Sequence, residues 1–274
     1  MKNFAKILKI HRFHFLDKQQ RFVIQTVTLT AGLLVAQLIW QDYRFIMVIV
    51  LSILSYLLSA WSLKEDIVGI EWLLLFILPV IFTASVSLFY FLLPGRWISR
   101  LITSIIFAIG TYAIVRAENI YNVAAERSIQ LLRVAQTVGL LITLVVMFFS
   151  TIVVYSLRGP FWLNMAIIIP LTFILALQSL WSVKLEAKLT RPLFIYSSII
   201  GMTIGEIVGV LSFWPVFKSS GLAIAALFIS SIYYSLTGIA QQYLLGRMFT
   251  NTTREYIVTF LFMLILLIIS TRWG

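Results

Sequence analysis

Long apolar segments separated by short polar stretches recur along the whole chain. Each segment is near the ~20 residues that an α-helix needs to cross a bilayer. The pattern therefore predicts an all-α polytopic membrane bundle of about nine spans, at residues 22–40, 44–61, 72–93, 98–115, 138–157, 161–181, 193–217, 221–243 and 253–270. The fourth and ninth are the weakest, because Arg100 lies near the start of the fourth and the apolar centre of the ninth is short. A bundle of eight spans is the alternative.

Composition supports the membrane class. Of the 274 residues, 61% are hydrophobic and 11% are charged, whereas a soluble domain carries about 25% charged residues. Few residues are left outside the spans, so a separate soluble catalytic domain is not expected. The chain has no cysteine, which excludes disulfides, thiolate metal sites and thiol catalysis.

Aromatic and basic residues agree with these spans. All eight tryptophans fall at or beside predicted span ends, where an aromatic belt is expected. With the N-terminus inside, 15 of the 21 lysines and arginines fall on the inner side and 6 on the outer side. Because cytoplasmic loops collect Lys and Arg, we predict a cell-membrane protein with a cytoplasmic N-terminus and an external C-terminus. The same bias explains the net charge of +11 without a nucleic-acid partner.

Two segments outside the spans have amphipathic helical patterns. Residues 1–21 carry six basic residues among apolar ones at helical spacing. This is typical of a helix held on anionic lipid headgroups, at about 1 kcal/mol per basic residue. We predict a second, cytoplasmic surface helix over 116–137, with a polar side formed by Glu118, Asn122, Glu126, Arg133 and Gln136. A solvated polar face is favoured there over a docking surface for a protein partner.

Catalytic constellations are mostly absent from the sequence. The two histidines, His11 and His14, lie in the basic N-terminal segment with no carboxylate cluster nearby, so no metal site is predicted. The HExxH, GxSxG and P-loop motifs are missing. We predict no cofactor. A lipid-modifying enzyme at the cytoplasmic interface ranks last among the function classes, because no acid/base pair is recognisable.

One glutamate lies inside an otherwise apolar stretch. Glu206 is the only formal charge in residues 193–217 and is close to the middle of the seventh predicted span. An ionised carboxylate at that depth costs about 2.5–3.5 kcal/mol on insertion scales, so it should be neutral, paired or in contact with water. Beside it runs a double GxxxG ladder, which permits close approach of another helix and consists of Gly201, Gly205 and Gly209. We therefore expect Glu206 to point into the bundle.

Polar side chains on neighbouring spans are candidate partners for Glu206. They lie on the sixth and eighth spans and are Asn164, Ser231, Tyr234, Gln241 and Gln242. Such side chains commonly serve as hydrogen-bonding contacts between helices, at about 0.6 kcal/mol each. The sharper prediction is a polar interior between the sixth, seventh and eighth spans, with Glu206 near its centre and these groups lining a path.

Two function classes follow from the pattern. The first is a permease or channel-like protein that moves a small or lipophilic solute, with Glu206 as a proton- or cation-linked carboxylate. The second is a non-catalytic membrane subunit that scaffolds a larger assembly through residues 116–137 and the glycine ladder. The sequence leaves open whether the chain forms a homo-oligomer.

Overall fold

The computed structural model describes residues 17–36, 43–63, 74–93, 97–126, 131–185, 189–214, 221–247 and 250–271. Within these ranges the chain forms nine α-helices and no strand. They are α1 (Lys18–Ala36), α2 (Arg44–Leu63), α3 (Ile77–Leu92), α4 (Trp97–Glu126), α5 (Leu132–Ser156), α6 (Phe161–Lys184), α7 (Arg191–Leu211), α8 (Leu222–Leu244) and α9 (Thr250–Ser270). The predicted class, a helical membrane bundle, is confirmed.

Seven of these described helices, α2 and α4 to α9, are long and apolar enough to cross a membrane. The two spans that were weakest in the sequence are among them, as α4 and α9. The two helices that fall short are α3, which has 16 residues, and α1, whose first half is rich in Lys, Arg, Gln and Thr. The predicted basic segment overlaps α1 from Lys18 onward, and its residues 1–16 lie outside the described residues.

Successive helices alternate in direction, and the two ends of the bundle differ in charge. Gln25 near the start of α1 donates to Ser59 near the end of α2 at 2.8 Å. Tyr121 near the end of α4 donates to the Ala135 carbonyl at the start of α5 at 2.7 Å. The bundle end that holds these contacts also carries Lys18, Arg21, Arg133, Lys184, Arg191, Arg247 and Arg254. We call it the basic end, and the opposite one the far end.

The glycine ladder of α7 packs against α6. All three glycines are buried. A Cβ on Gly201 would lie 3.1 Å from the backbone oxygen of Ile169, and one on Gly209 would lie 2.6 Å from the Met165 sulfur. At Gly205 an added Cβ would overlap the Ile169 side chain. The ladder therefore joins two helices of the same chain, because small residues let the backbones approach closely.

Helix α9 is the least covered of the seven long helices, with 11% of its most apolar stretch buried within the described bundle. Its contact with α8 centres on Tyr256. The Ser235 hydroxyl donates to the Tyr256 carbonyl at 3.1 Å, and Gly238 leaves room for the Tyr256 ring.

Replacing Gly238 with alanine is expected to lower the free energy of unfolding by about 1–3 kcal/mol, because the added Cβ overlaps the Tyr256 ring. Thermal unfolding in detergent micelles, followed by tryptophan fluorescence, measures the effect. The variant Gly238→Ala/Tyr256→Leu serves as the control, since removing the ring should recover part of the loss. Equal stability of Gly238→Ala and the wild type would show that α8 and α9 do not meet as described.

The predicted surface helix over 116–137 is divided between two membrane helices. Residues 116–126 form about the last three turns of α4, and residues 132–137 begin α5. The prediction of a solvated polar face is wrong for Glu118 and Asn122, which are 0% and 1% exposed. The reason is helical continuity: Ile114, Glu118 and Asn122 follow one another at four-residue spacing, so the packed face of the span simply continues.

Candidate functional site

Glu206 lies on the outer surface of the described bundle and not in its interior. Because α7 ends at Leu211, Glu206 belongs to its last third, near the far end. The prediction that it points inward is wrong. Each residue turns the helix by about 100°. Glu206, the residue after Gly205, therefore lies outside the packed glycine ladder, on the same exposed face of α7 as Met202 and Val210.

The Glu206 side chain lines a groove on the outer surface of α6 and α7. The other lining residues are Phe161, Met165, Gly209, Val210, Phe213 and Trp214. The groove has a volume of about 490 Å³, and the rings of Phe161 and Phe213 lie 5.1 Å apart. Among the residues that the structure describes, Glu206 has no hydrogen-bond or ion-pair partner. The groove is therefore an apolar cleft with one carboxyl group.

The other predicted site residues do not converge on Glu206. Asn164 donates to the Ser212 hydroxyl at 3.0 Å, at the far end of the bundle. Gln241 donates to the Ser179 carbonyl at 3.0 Å, at the basic end. Asn164 and Ser179 are fifteen positions apart on α6, which is about 22 Å along its axis. The predicted single polar interior is therefore divided between two places.

The remaining members of the predicted stripe on α8 make structural contacts. Ser231 donates to the carbonyl of Phe228 in its own helix at 2.7 Å. The Tyr234 ring packs edge-on against Tyr256 at 5.2 Å, and Gln242 is half-buried at the basic end of α8. Tyr234 therefore lies at the contact of α8 with α9.

A second carboxyl group, that of Glu118, lies inside the bundle. Gln178 of α6 donates from Nε2 to Glu118 Oε1 at 2.7 Å. Both side chains are buried, at 0% and 3% exposure. Asn122 is one turn nearer the basic end, where its Nδ2 donates to the carbonyl of Leu63 at 3.4 Å. We call Glu118, Gln178, Asn122 and Tyr121 the Glu118 cluster.

The Glu118 cluster has more hydrogen-bond acceptors than hydrogen-bond donors. Three of its buried oxygen atoms have no hydrogen-bond partner within the described ranges, namely Glu118 Oε2, Gln178 Oε1 and Asn122 Oδ1. Burying a polar atom without a partner costs about 1–3 kcal/mol. Without a further hydrogen-bond donor, the Glu118 cluster therefore destabilises the bundle. Buried polar groups without a partner are rare in folded proteins.

A small cavity adjoins the cluster. Its volume is about 10 Å³, and its lining includes Tyr121, Gln178, Ser179, Ser182 and Thr143. That volume is enough for about one water molecule. The described residues contain no group of three or more His, Cys, Asp or Glu side chains that could hold a metal ion. The cavity suits a water molecule or a proton and is too small for an organic solute.

The sequence did contain a signal for the Glu118 cluster. Residues 111–126 have neither glycine nor proline, so nothing ends the helix of the fourth span before Glu118. Gln178 is noticeable in the sequence as a polar group in an apolar span. What the sequence does not provide is the pairing of α4 with α6, because that contact joins residues 60 positions apart.

Comparisons with known proteins identify the family of this chain but no activity. No match was found among the curated proteins or among the solved structures. One family model matches residues 64–270, which is more than half of the chain, and its description is "Protein of unknown function (DUF5656)". The chain therefore belongs to the DUF5656 family.

Proposed function

We propose that this membrane protein is a permease for a lipophilic cation, which enters the Glu206 groove sideways from the bilayer. The observation that carries the proposal is the position of Glu206 on the exposed outer surface of α7, in an apolar groove of about 490 Å³. That volume lies in the range of about 300–1,000 Å³ of small-molecule sites.

Charge selects the kind of solute. A carboxylate in hydrocarbon is unfavourable by several kcal/mol, and a cation that settles beside it offsets part of that cost. A strongly hydrated ion such as Na⁺ would find one carboxyl group and an apolar lining. A cation with large apolar groups, in contrast, can bury those groups against Met165 and Val210 while its charge lies beside Glu206.

The aromatic lining supports the same class of solute. Phe161, Phe213 and Trp214 all contribute to the groove. The faces of aromatic rings attract cations, with about 2 kcal/mol or more where water is excluded. The groove thus combines one acidic group with ring faces and aliphatic contacts, which is a suitable set for a quaternary ammonium or phosphonium compound.

Movement across the bilayer requires that α6 or α7 change shape beside the groove. Pro170 lies inside α6, next to Ile169, which contacts the glycine ladder. A proline in a helix removes one backbone hydrogen bond and weakens the helix locally. In this proposal α6 bends at Pro170 and opens the groove toward the interior of the bundle.

The test is uptake and binding of radiolabelled tetraphenylphosphonium by the purified protein in proteoliposomes. We expect saturable binding and uptake by the wild type. Glu206→Gln should weaken binding at least about tenfold, equal to about 1.4 kcal/mol. Glu255→Gln is the matched control, because Glu255 is an exposed glutamate of α9 away from the groove, and it should bind as the wild type does.

Different failures have different meanings. Equal binding by the wild type and Glu206→Gln would contradict the proposed site. Binding that depends on Glu206 but is never followed by uptake would contradict the permease and leave a binding protein. A change in the mass of the detergent-solubilised particle on Glu206→Gln, with no binding of the cation, would favour the scaffold function instead.

A further inference from the structure

We infer that Glu118 is a proton-binding site: its carboxyl group holds a proton on Oε2 and exchanges it with water from the basic end of the bundle. This inference goes beyond the proposed function and does not depend on the groove at Glu206. It rests on the hydrogen-bond balance of the Glu118 cluster, on the small cavity beside it and on the arrangement of polar and apolar residues along α4.

The hydrogen-bond balance requires an additional donor. Oε1 of Glu118 accepts from Gln178, while Oε2 and the side-chain oxygens of Gln178 and Asn122 have no partner in the described ranges. A proton on Oε2 turns one of these three acceptors into a donor. An ionised carboxylate would instead leave a full charge with a single donor among the described residues, at a far greater cost in free energy.

Within the described residues, few charged side chains lie around Glu118. Tyr121, on the next turn of α4, donates its hydroxyl hydrogen to the Ala135 carbonyl. From α1 the buried charged side chain is Arg21, and from α6 the side chain that faces Glu118 is Gln178. The first turn of α5 carries Arg133, which is exposed. Arg21 is therefore the cation whose contribution the experiment has to separate.

A metal cation is a poorer occupant than a proton. The cavity beside Gln178 measures about 10 Å³, and water needs about that much. Hard cations take about six or more oxygen ligands, whereas Glu118 is the one carboxylate of the cluster. A proton needs no coordination shell, and one water molecule in the cavity can carry it to and from the cluster.

The path for exchange leads to the basic end. Asn122 lies one turn beyond Glu118 in that direction. On the α6 side Gln178 and Ser182 line the small cavity, and Gln136, which is half-buried, donates to the Ser182 carbonyl at 2.8 Å. In the other direction the same face of α4 has the buried side chains of Ile114, Thr111 and Phe107, and Phe107 stacks on Phe82 at 5.6 Å. Polar groups of α4, α5 and α6 thus lie between Glu118 and the basic end, whereas in the other direction Thr111 is followed by the stacked rings of Phe107 and Phe82.

The experiment is infrared spectroscopy of the protein in lipid nanodiscs at neutral pH. We expect a carbonyl stretching band of a protonated carboxyl group that is lost in Glu118→Gln and kept in Glu206→Gln and Glu255→Gln. The band should shift within minutes after transfer to D₂O. Glu118→Asp provides a second assignment if Glu118→Gln does not fold, because the band should then persist at a different frequency.

Three results would overturn the inference. If the Glu118→Gln variant keeps every protonated-carboxyl band of the wild type, Glu118 is ionised. A new band in Arg21→Gln would then identify Arg21 as its counter-ion. A band that does not shift in D₂O until the protein unfolds would show a sealed, non-exchanging carboxyl group. Loss of the band on adding Na⁺ at constant pH would show that the cluster binds a metal cation.

Discussion

A leucine in place of Gly201 is expected to force α6 and α7 apart and to lower the free energy of unfolding by about 3 kcal/mol or more. The Cβ alone would lie 3.1 Å from the backbone oxygen of Ile169 and 3.3 Å from the backbone nitrogen of Phe173. Backbone atoms cannot rotate away as a side chain can. Every further atom of the leucine side chain therefore has to be accommodated by separating the two helices.

A graded series makes this prediction specific. Gly201→Ala should cost about 1 kcal/mol, Gly201→Leu the most, and Gly209→Ala little, because the atom it meets belongs to the flexible side chain of Met165. Met202→Leu, at the neighbouring and exposed position, is the control and should change stability by less than about 0.5 kcal/mol. Unfolding in mixed micelles measures all four. A Gly201→Leu protein as stable as the wild type would refute the close contact of α6 with α7.

The fold class was predictable because it depends on local properties of the chain. A lipid environment forces each apolar segment into a helix that satisfies its own backbone hydrogen bonds, so the length of each apolar run defines a helix without reference to the others. The boundaries were less predictable. The seventh predicted span extends to residue 217, whereas α7 ends at Leu211, and this difference moved Glu206 from the centre of a helix to its last third.

The candidate site was predictable only in part, and the two glutamates show why. The sequence identifies Glu206 as energetically costly inside an apolar helix, and in the structure its side chain is exposed on the outer surface of α7. The direction of its side chain follows from its position one residue after Gly205, because Gly205 packs against α6 and Glu206 does not. For Glu118 the sequence suggests a solvated face, because polar residues are frequent around it. Glu118 is buried because α6 packs against it and supplies Gln178 from a distant part of the chain.

Loss of the Gln178 side chain is expected to have the largest effect among the polar contacts of the bundle. Gln178→Met should lower the free energy of unfolding by about 2 kcal/mol, because Glu118 then keeps no hydrogen-bond donor in a site without exposure to solvent. This exceeds the average of about 0.6 kcal/mol for hydrogen bonds between membrane helices, whose measured maximum is about 1.7 kcal/mol. The average is low because partners are replaceable, whereas Gln178 is the one donor that Glu118 has among the described residues.

A double-mutant cycle distinguishes this explanation from simple loss of packing. In Glu118→Met/Gln178→Met both polar groups are absent, and replacing both partners with apolar groups of similar shape is nearly neutral. The double variant should therefore be more stable than Gln178→Met alone. Gln241→Met is the matched control, because Gln241 donates to the Ser179 carbonyl at 3.0 Å while half-buried, and it should cost about 0.6 kcal/mol. Additive losses in the double variant would mean that Glu118 and Gln178 stabilise the bundle independently, and the pair would then have no special role in the core.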